Sequence, residues 1–200
     1  MNNPSVHVVV VTFNGERWLD QCLGSLINSN IILNIIVVDN NSTDETPEIV
    51  RKKYPKVTLV ELSENQGFGR ANNIGIQNAV EMNAEFIFLL NQDAWVEKDT
   101  ISELIKVSKD NPEYGIISPV HLNGNSTALD YNFSLQASPI NCKHFFSDIF
   151  IDSRKDIYRA KFVNAAAWLI TNECVTRVGY FEPLFFLYGE DDNYVQRITY

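Results

Sequence analysis

The sequence predicts an α/β fold with a Rossmann-like, mostly parallel central sheet flanked by helices. Three observations carry this. Apolar runs at residues 6–11, 35–38 and 86–90 have the length of strands and are too short for helices. Each ends in a polar loop, and each loop opens a stretch of helical period. The third run, Phe86-Ile87-Phe88-Leu89-Leu90, shows no polar alternation, as in a strand buried on both faces of a parallel sheet. Open parallel sheets bind ligands beyond the carboxyl ends of their strands, so the loops at those ends carry the functional argument.

The elements follow in order. After the first strand, Thr12-Phe13-Asn14-Gly15 supplies turn chemistry. Trp18, Leu19, Cys22, Leu23, Leu26 and Ile27 then recur at helical spacing. The second strand runs into Asp39-Asn40-Asn41-Ser42, and Ser42 with Glu45 reads as a capping box that opens a helix. Pro47 falls in its first turns, and Tyr54-Pro55 ends it. Residues 57–62 alternate as a third strand. Gly67-Phe68-Gly69 follows at a tight turn, then a helix to about Asn83. The fourth strand, residues 86–90, ends in Asn91-Gln92-Asp93. Thr100 with Glu103 reads as another capping box, Asn111-Pro112 closes that helix, and residues 116–119 form a short strand. These units define residues 1–119 as one α/β half. Residues 120–200 form a second half of the same domain. It is irregular or built of short antiparallel strands to about 161, regains order at 162–170, and has a short helix at 173–178 with Gly179 beyond its end. Glu190-Asp191-Asp192-Asn193 opens a last helix that Tyr200 interrupts, as expected of a piece of a longer protein.

Composition bounds the function. A formal net charge of −9 argues against a nucleic-acid partner, since phosphate neutralisation needs clustered Lys and Arg. Cys22, Cys142 and Cys174 are odd in number and widely spaced, which predicts reduced thiols in a cytoplasmic protein and no zinc site. No signal-peptide pattern precedes Val6, and no apolar run nears the ~20 residues of a membrane span. Peripheral attachment at the inner membrane face through segments outside this chain is compatible with that.

The loops after strands one, two and four, at residues 12–15, 39–42 and 91–93, share one sheet edge and can share one pocket. Asp93 is the full charge in its triplet. It is a hard oxygen ligand for Mg2+ or Mn2+, or simply a turn cap. Asp39 can accept from the imide N–H of a uracil or thymine, or serve as a turn residue; Asn41 and Ser42 read equally well as caps. Arg70 can pair with a phosphate or lie on a solvated helix face. The acids at 190–192 repel one another unless a cation or a raised pKa offsets the repulsion, although a helix N-terminus also favours them. His7 lies in a strand and is expected to be packed. Neither a Ser-His-Asp set nor a Walker pattern is readable, and Gly67-Phe68-Gly69 lacks the third glycine of a dinucleotide fingerprint.

Taken together, residues 8–14, 37–44, 65–75 and 89–93, with 178–182, 185–191 and Arg197, resemble in order and spacing the family-2 inverting glycosyltransferases of the GT-A fold. The resemblance covers nearly all of the chain except about 120–160. It implies that Thr12, Asn14 and Asp39 hold the base and ribose of a nucleoside-diphosphate sugar. Asn41, Gly67, Arg70 and Asn73 would shape the nucleotide pocket, with Asn91 and Gln92 beside them. Asp93 matches the last acid of the family's Asp-x-Asp metal motif, and Asp191 matches the catalytic base. Asn91 replaces the first motif acid, as in rhamnosyltransferase-like members, which makes dTDP-rhamnose a donor to consider beside UDP-sugars and lowers the expected metal affinity. Asn193 replaces the second acid of the family's Glu-Asp-x-Asp pattern, leaving Asp192 as an alternative base. The implied acceptor is a saccharide or lipid-linked hydroxyl in surface polysaccharide assembly. A non-catalytic sugar-nucleotide or glycan-binding module is the second reading. A sugar nucleotidyltransferase ranks below both, because residues 12–15 have no Lys and a single Gly.

Overall fold

The computed structural model describes residues 4–199. Tyr200, where the sequence interrupts the last helix, lies outside them. Two compact units divide the chain: Met1–Ile117 with Ala165–Tyr200, and Ser118–Asn164. Sequence patterning draws one boundary, after 119. The chain crosses twice, because the segment after 164 rejoins the sheet by strand pairing.

The first unit opens with β1 (Val6–Thr12), α1 (Glu16–Ile27), β2 (Asn34–Asp39), α2 (Thr46–Lys53), β3 (Thr58–Glu61) and α3 (Phe68–Glu81). β4 (Phe86–Asn91), α4 (Thr100–Asp110) and β5 (Ile116–Ile117) complete its first passage. The second unit contributes α5 (Tyr131–Gln136) and α6 (Phe145–Phe150). The first unit then resumes with β6 (Ala167–Thr171), α7 (Asn172–Val178) and α8 (Glu190–Thr199). Among the described residues the strands form one six-stranded sheet in the order β3-β2-β1-β4-β6-β5. β1 pairs parallel with β2 and β4, and β2 pairs parallel with β3; β6 runs antiparallel to β4 and β5. The strand order therefore reverses beside β1, where loops on either side of the reversal part and leave a crevice.

Both faces of the sheet are covered, as the continuous apolar runs require. Phe86, Ile87, Phe88, Leu89 and Leu90 are all buried. Val6, Val8 and Val10 pack with Phe88 and Leu90 against Leu19, Leu23 and Leu26 of α1 and against Ile101, Leu104 and Ile105 of α4. On the opposite face Val9 and Val38 meet α3 at Gly75, where an added Cβ would fall 2.3 Å from Val9 Cγ1. His7 is buried as expected, and burial pushes its imidazole below the ordinary histidine range. The three cysteines are free and buried.

The two expected capping boxes do not form. α2 begins after Glu45 with no side-chain cap at that residue, and Asp44 Oδ1 accepts from the Thr46 N–H (3.0 Å). The Ser42 hydroxyl is instead held by a buried carboxylate at the end of β2. α4 begins after Asp99 without a side-chain cap, and Thr100 lies inside the helix. A cap that the residue pattern does not announce does form: Thr171 Oγ1 accepts from the Cys174 N–H (3.0 Å) and starts α7.

In the second unit, isolated antiparallel bridges Leu122–Leu129 and Cys142–Ala160 accompany α5 and α6. The two helices dominate this stretch, in place of the short antiparallel strands that are one expectation for it. Each is under two turns, too short for a 3.6-residue period to show. Phe145 is the centre of a small core, edge-on to Phe133 and Tyr158 at centroid distances of 6.3 and 5.2 Å.

Candidate active site

Asp39 ends β2 and is 2% exposed. A buried carboxylate needs donors, and three are present. Its Oδ1 accepts from Thr12 Oγ1 (2.9 Å) and Ser42 Oγ (2.6 Å), and its Oδ2 from the Ser42 N–H (2.9 Å). Thr12 is opposite Asp39 in the β1–β2 register, so strand pairing alone brings the two together. Oδ2, with one donor, keeps room for another.

The loop after β1 is laced to the loop after β2. The Asn14 N–H bonds Ser42 Oγ (2.9 Å), and Asn14 Oδ1 accepts from the Thr43 N–H (2.8 Å). The Gly15 N–H donates to Thr46 Oγ1 (2.9 Å). Asn14 and Asn41 have φ of 48° and 65°, in the left-handed region that asparagine tolerates best after glycine. Asn41 is exposed, and its neighbour Asn40 is buried. Asn40 donates to Asn65 Oδ1 (2.9 Å) and the Gly67 carbonyl (3.3 Å), and accepts from the Gln66 N–H (2.8 Å). It ties the end of β2 to the start of α3.

Gln92 closes the other side. It accepts from the Phe13 N–H (2.9 Å) and donates to the Phe13 carbonyl (3.2 Å), pairing with that backbone as a strand would. Gly15 is required there, since an added Cβ would lie 2.2 Å from Gln92 Oε1. Asp93 follows, exposed. Its charge reaches the buried Cys22 thiol, which is pushed up to about 12, first by burial and then by Asp93. Cys22 is therefore a packed, unreactive thiol.

A third group grips residues 181–186. Gly67 has φ of 80°, and an added Cβ would stand 2.1 Å from the Phe186 carbonyl oxygen. That oxygen accepts from the Phe68 N–H (3.2 Å). Arg70 Nε donates to the Pro183 carbonyl (2.9 Å). Asn73 donates to the Phe181 carbonyl and accepts from the Phe181 N–H, both at 2.8 Å. The segment so held leads into α8. Glu190 is 4% exposed and lies against Gly69 of α3. Asp191 follows in the first turn, half-buried, its Oδ1 accepting from the Asp192 N–H (2.9 Å). Burial, with the Asp191 charge adding to it, pushes the Glu190 carboxyl above the ordinary range.

Thr12, Asn14 and Asp39 thus form one bonded cluster, with Asn41 beside it. Gly67, Arg70 and Asn73 form a second, linked to the first through Asn40. Gln92 ties Asn91 and Asp93 to the β1 loop, and Asp191 enters behind Glu190. Asn40, Ser42 and Thr46 are the positioning residues that sequence reasoning does not single out for this role. Asp-Asn-Asn-Ser is ordinary loop composition, and only the burial of Asn40 separates it from Asn41.

The donor set suits a divalent cation in one particular way. Among the described residues no group of three or more His, Cys, Asp or Glu side chains is placed to hold a metal. Asp93 offers one exposed hard carboxylate, and the Asn91 Oδ1 beside it is buried with no hydrogen-bond partner. One or two oxygen ligands, completed by substrate phosphates and water, are how Mg2+ is commonly held.

An open, mostly parallel α/β sheet with strand-end loops knit around a buried aspartate, and an acid pair delivered to the same unit by a later helix, is the architecture that the resemblance to GT-A folds leads one to expect. The sequence model of glycosyl transferase family 2 matches residues 7–170, and the chain belongs to that family. It is 32% identical over 117 residues to the putative glycosyltransferase EpsH of Bacillus subtilis, covering 56% of this chain and 33% of EpsH. It is 32% identical over 122 residues to the dTDP-rhamnosyl transferase RfbF of Shigella flexneri, covering 60% of this chain and 40% of RfbF. Among solved structures, S. aureus TarS 1-349 superposes with a TM-score of 0.72 at 18% identity, covering 97% of this chain and 55% of that one. The mannosyltransferase PcManGT of Pyrobaculum calidifontis, in complex with GDP-Man and Mn2+, gives 0.71 at 22% identity, covering 98% and 52%. These structural likenesses speak to the fold. The chain spans about a third to just over half of the length of these relatives. Among the described residues no helix is long and apolar enough to cross a membrane.

Proposed function

We propose that this chain is the donor-binding and catalytic part of an inverting glycosyltransferase. It moves a sugar from dTDP-rhamnose or a UDP-sugar to a saccharide or lipid-linked hydroxyl during surface polysaccharide assembly. The observation that carries the reading is Asp39, a buried carboxylate aimed by Thr12 and Ser42 at the sheet edge with one oxygen able to accept a further donor. A uracil or thymine imide is such a donor, and both candidate nucleotides present one. The dTDP-rhamnosyl relative favours the first donor; TarS structures in complex with UDP and UDP-GlcNAc favour the second.

In this reading Thr12, Asn14 and Asp39 hold the base and ribose, and Asn41 shapes the nucleotide pocket. Gly67, Arg70 and Asn73 hold the 181–186 segment that brings α8 in, and the Arg70 guanidinium, which spends Nε on the Pro183 carbonyl, is the cation assigned to the donor phosphates. Asp93, with Asn91 beside it, is the group that would hold Mg2+ or Mn2+, and the ion would supply Lewis-acid neutralisation of the leaving diphosphate. Asp191 accepts the proton of the acceptor hydroxyl as its oxygen attacks the anomeric carbon. The bond from that carbon to the diphosphate oxygen breaks, the nucleoside diphosphate leaves with the electron pair, and the anomeric centre inverts.

Asp191→Asn tests the assignment. Donor binding by calorimetry should persist, while release of nucleoside diphosphate in the presence of acceptor should fall by ~10²–10⁴. Near-normal release by the variant removes Asp191 from the role. Donor binding by the wild-type chain without any release, acceptor present, would instead favour a binding module.

A further inference from the structure

We propose that residues 143–161 of the second unit form a docking surface for an anionic lipid bilayer, so that this chain carries its own peripheral membrane contact. The proposal is independent of the enzymatic reading and rests on an exposed apolar ridge in a stretch of net positive charge.

The ridge is α6 and the residue after it. Phe145 faces inward, 7% exposed, and anchors the helix in the small core with Phe133 and Tyr158. The other apolar residues face out. Phe146, Ile149 and Phe150 stand at i, i+3 and i+4, one stripe of a helix, and are 38%, 42% and 90% exposed. Ile151, just past the end of the helix, is also exposed, at 66%. Phe146, Ile149, Phe150 and Ile151 also line one shallow depression. Scattered apolar residues on a surface are ordinary; a contiguous set with two aromatic rings marks an interaction site.

Charge identifies the occupant. The whole chain has a formal net charge of −9. Residues 143–161 reverse that sign, with five Lys or Arg against three Asp. Lys143, Arg154, Lys155, Arg159 and Lys161 are all exposed. Lys155 is paired with Asp148 at 3.6 Å, which leaves Lys143, Arg154, Arg159 and Lys161 against Asp152 and Asp156. Exposed Phe and Ile followed closely in the chain by exposed Lys and Arg is the composition of a segment lying in a membrane interface, where long basic side chains reach lipid phosphates while the rings enter the acyl boundary. A neutral apolar partner would leave these cations without a counterpart. A second copy would set like charges against each other.

Co-sedimentation with vesicles tests this on the chain as it is. Binding is expected to vesicles of phosphatidylglycerol and phosphatidylcholine in equal parts, to be much weaker to phosphatidylcholine alone, and to fall as salt rises. Phe150→Ser should lower the partition coefficient by about 10- to 100-fold, the equivalent of one phenyl group withdrawn from the apolar phase. Lys143→Gln and Arg154→Gln should each lower it about fivefold on anionic vesicles and leave binding to neutral ones unchanged. Phe150 is so exposed that its substitution should leave the thermal midpoint unmoved, which separates lost docking from lost folding. Equal pelleting with both vesicle types, no pelleting with either, or light scattering that shows a dimer dissolved by Phe150→Ser would overturn the proposal. The last outcome would assign the ridge to self-association.

Discussion

Glu190 is buried against α3, and its Oε2 has no hydrogen-bond partner. Desolvation, with the Asp191 charge adding to it, raises its carboxyl above the ordinary glutamate value of about 4.3. Between the unfolded and folded values the folded chain binds more protons than the unfolded one, so stability is greater on the acid side of that window and declines as pH rises through it. Glu190→Gln removes that decline. In urea titrations across pH the variant should match the parent below the ordinary glutamate range and exceed it at neutral pH; two parallel curves would mean that the group is not held above its normal value. Sequence reading places Glu190 among acids favoured by a helix N-terminus and misses this burial, because the packing against Gly69 comes from an element far away in the chain. Asn40 is invisible for a similar reason. Its neighbours Asp39 and Asn41 draw attention as a carboxylate and a loop asparagine, while its three bonds to residues 65–67 depend on where α3 starts.

At the scale of elements, β1, β2, β4 and the helices between them are legible because each strand is buried on both faces and so writes an uninterrupted apolar run. Helix starts are less so. Ser42 and Thr100 have the residue types of caps, but α2 starts only at Thr46, and the Ser42 hydroxyl serves Asp39 and the Asn14 N–H instead, and the chain entering α4 turns helical one residue earlier than Thr100 suggests. The junction between α3 and residues 183–186 is legible only as a pair of glycines. Its tightness is testable at Gly67. Gly67→Ala combines a left-handed φ with a Cβ in the Phe186 carbonyl, a combined cost on the order of 1–3 kcal/mol or more. The change should release the Phe186 end of the segment before it unfolds the sheet. Amide exchange at Phe68, whose N–H bonds the Phe186 oxygen, should accelerate while Val8 and Phe88 in the core keep their protection. Uniform acceleration at all three sites would show that the junction is not a local unit.

For the whole molecule, alternation of strand and helix forecasts the parallel half, but nothing in residues 162–170 signals that β6 enters antiparallel beside β4, because pairing direction leaves no periodic mark on a buried strand. The strand-order reversal does not depend on that insertion: it lies where β1 pairs with β2 on one side and β4 on the other, and the ends of these three strands, all in the first unit, carry the candidate site. If the proposed donor site is correct, ligand binding should stabilise this fold through two separable contributions. A nucleotide at about 100 times its Kd adds about 2.7 kcal/mol, which for a chain of this size raises Tm by roughly 5–10 °C. The part due to Asp39 needs no metal, since Thr12 and Ser42 hold that carboxylate without Asp93. Mn2+ should add a further shift that a chelator reverses. Asp93→Ala should lose that added shift and keep the metal-free one, because Asp93 is exposed and the bonds that hold the Asp39 cluster come from Thr12 and Ser42. If the variant loses the entire nucleotide shift, the two sites are not separable; if it keeps the full Mn2+ increment, the cation is held elsewhere than at Asp93.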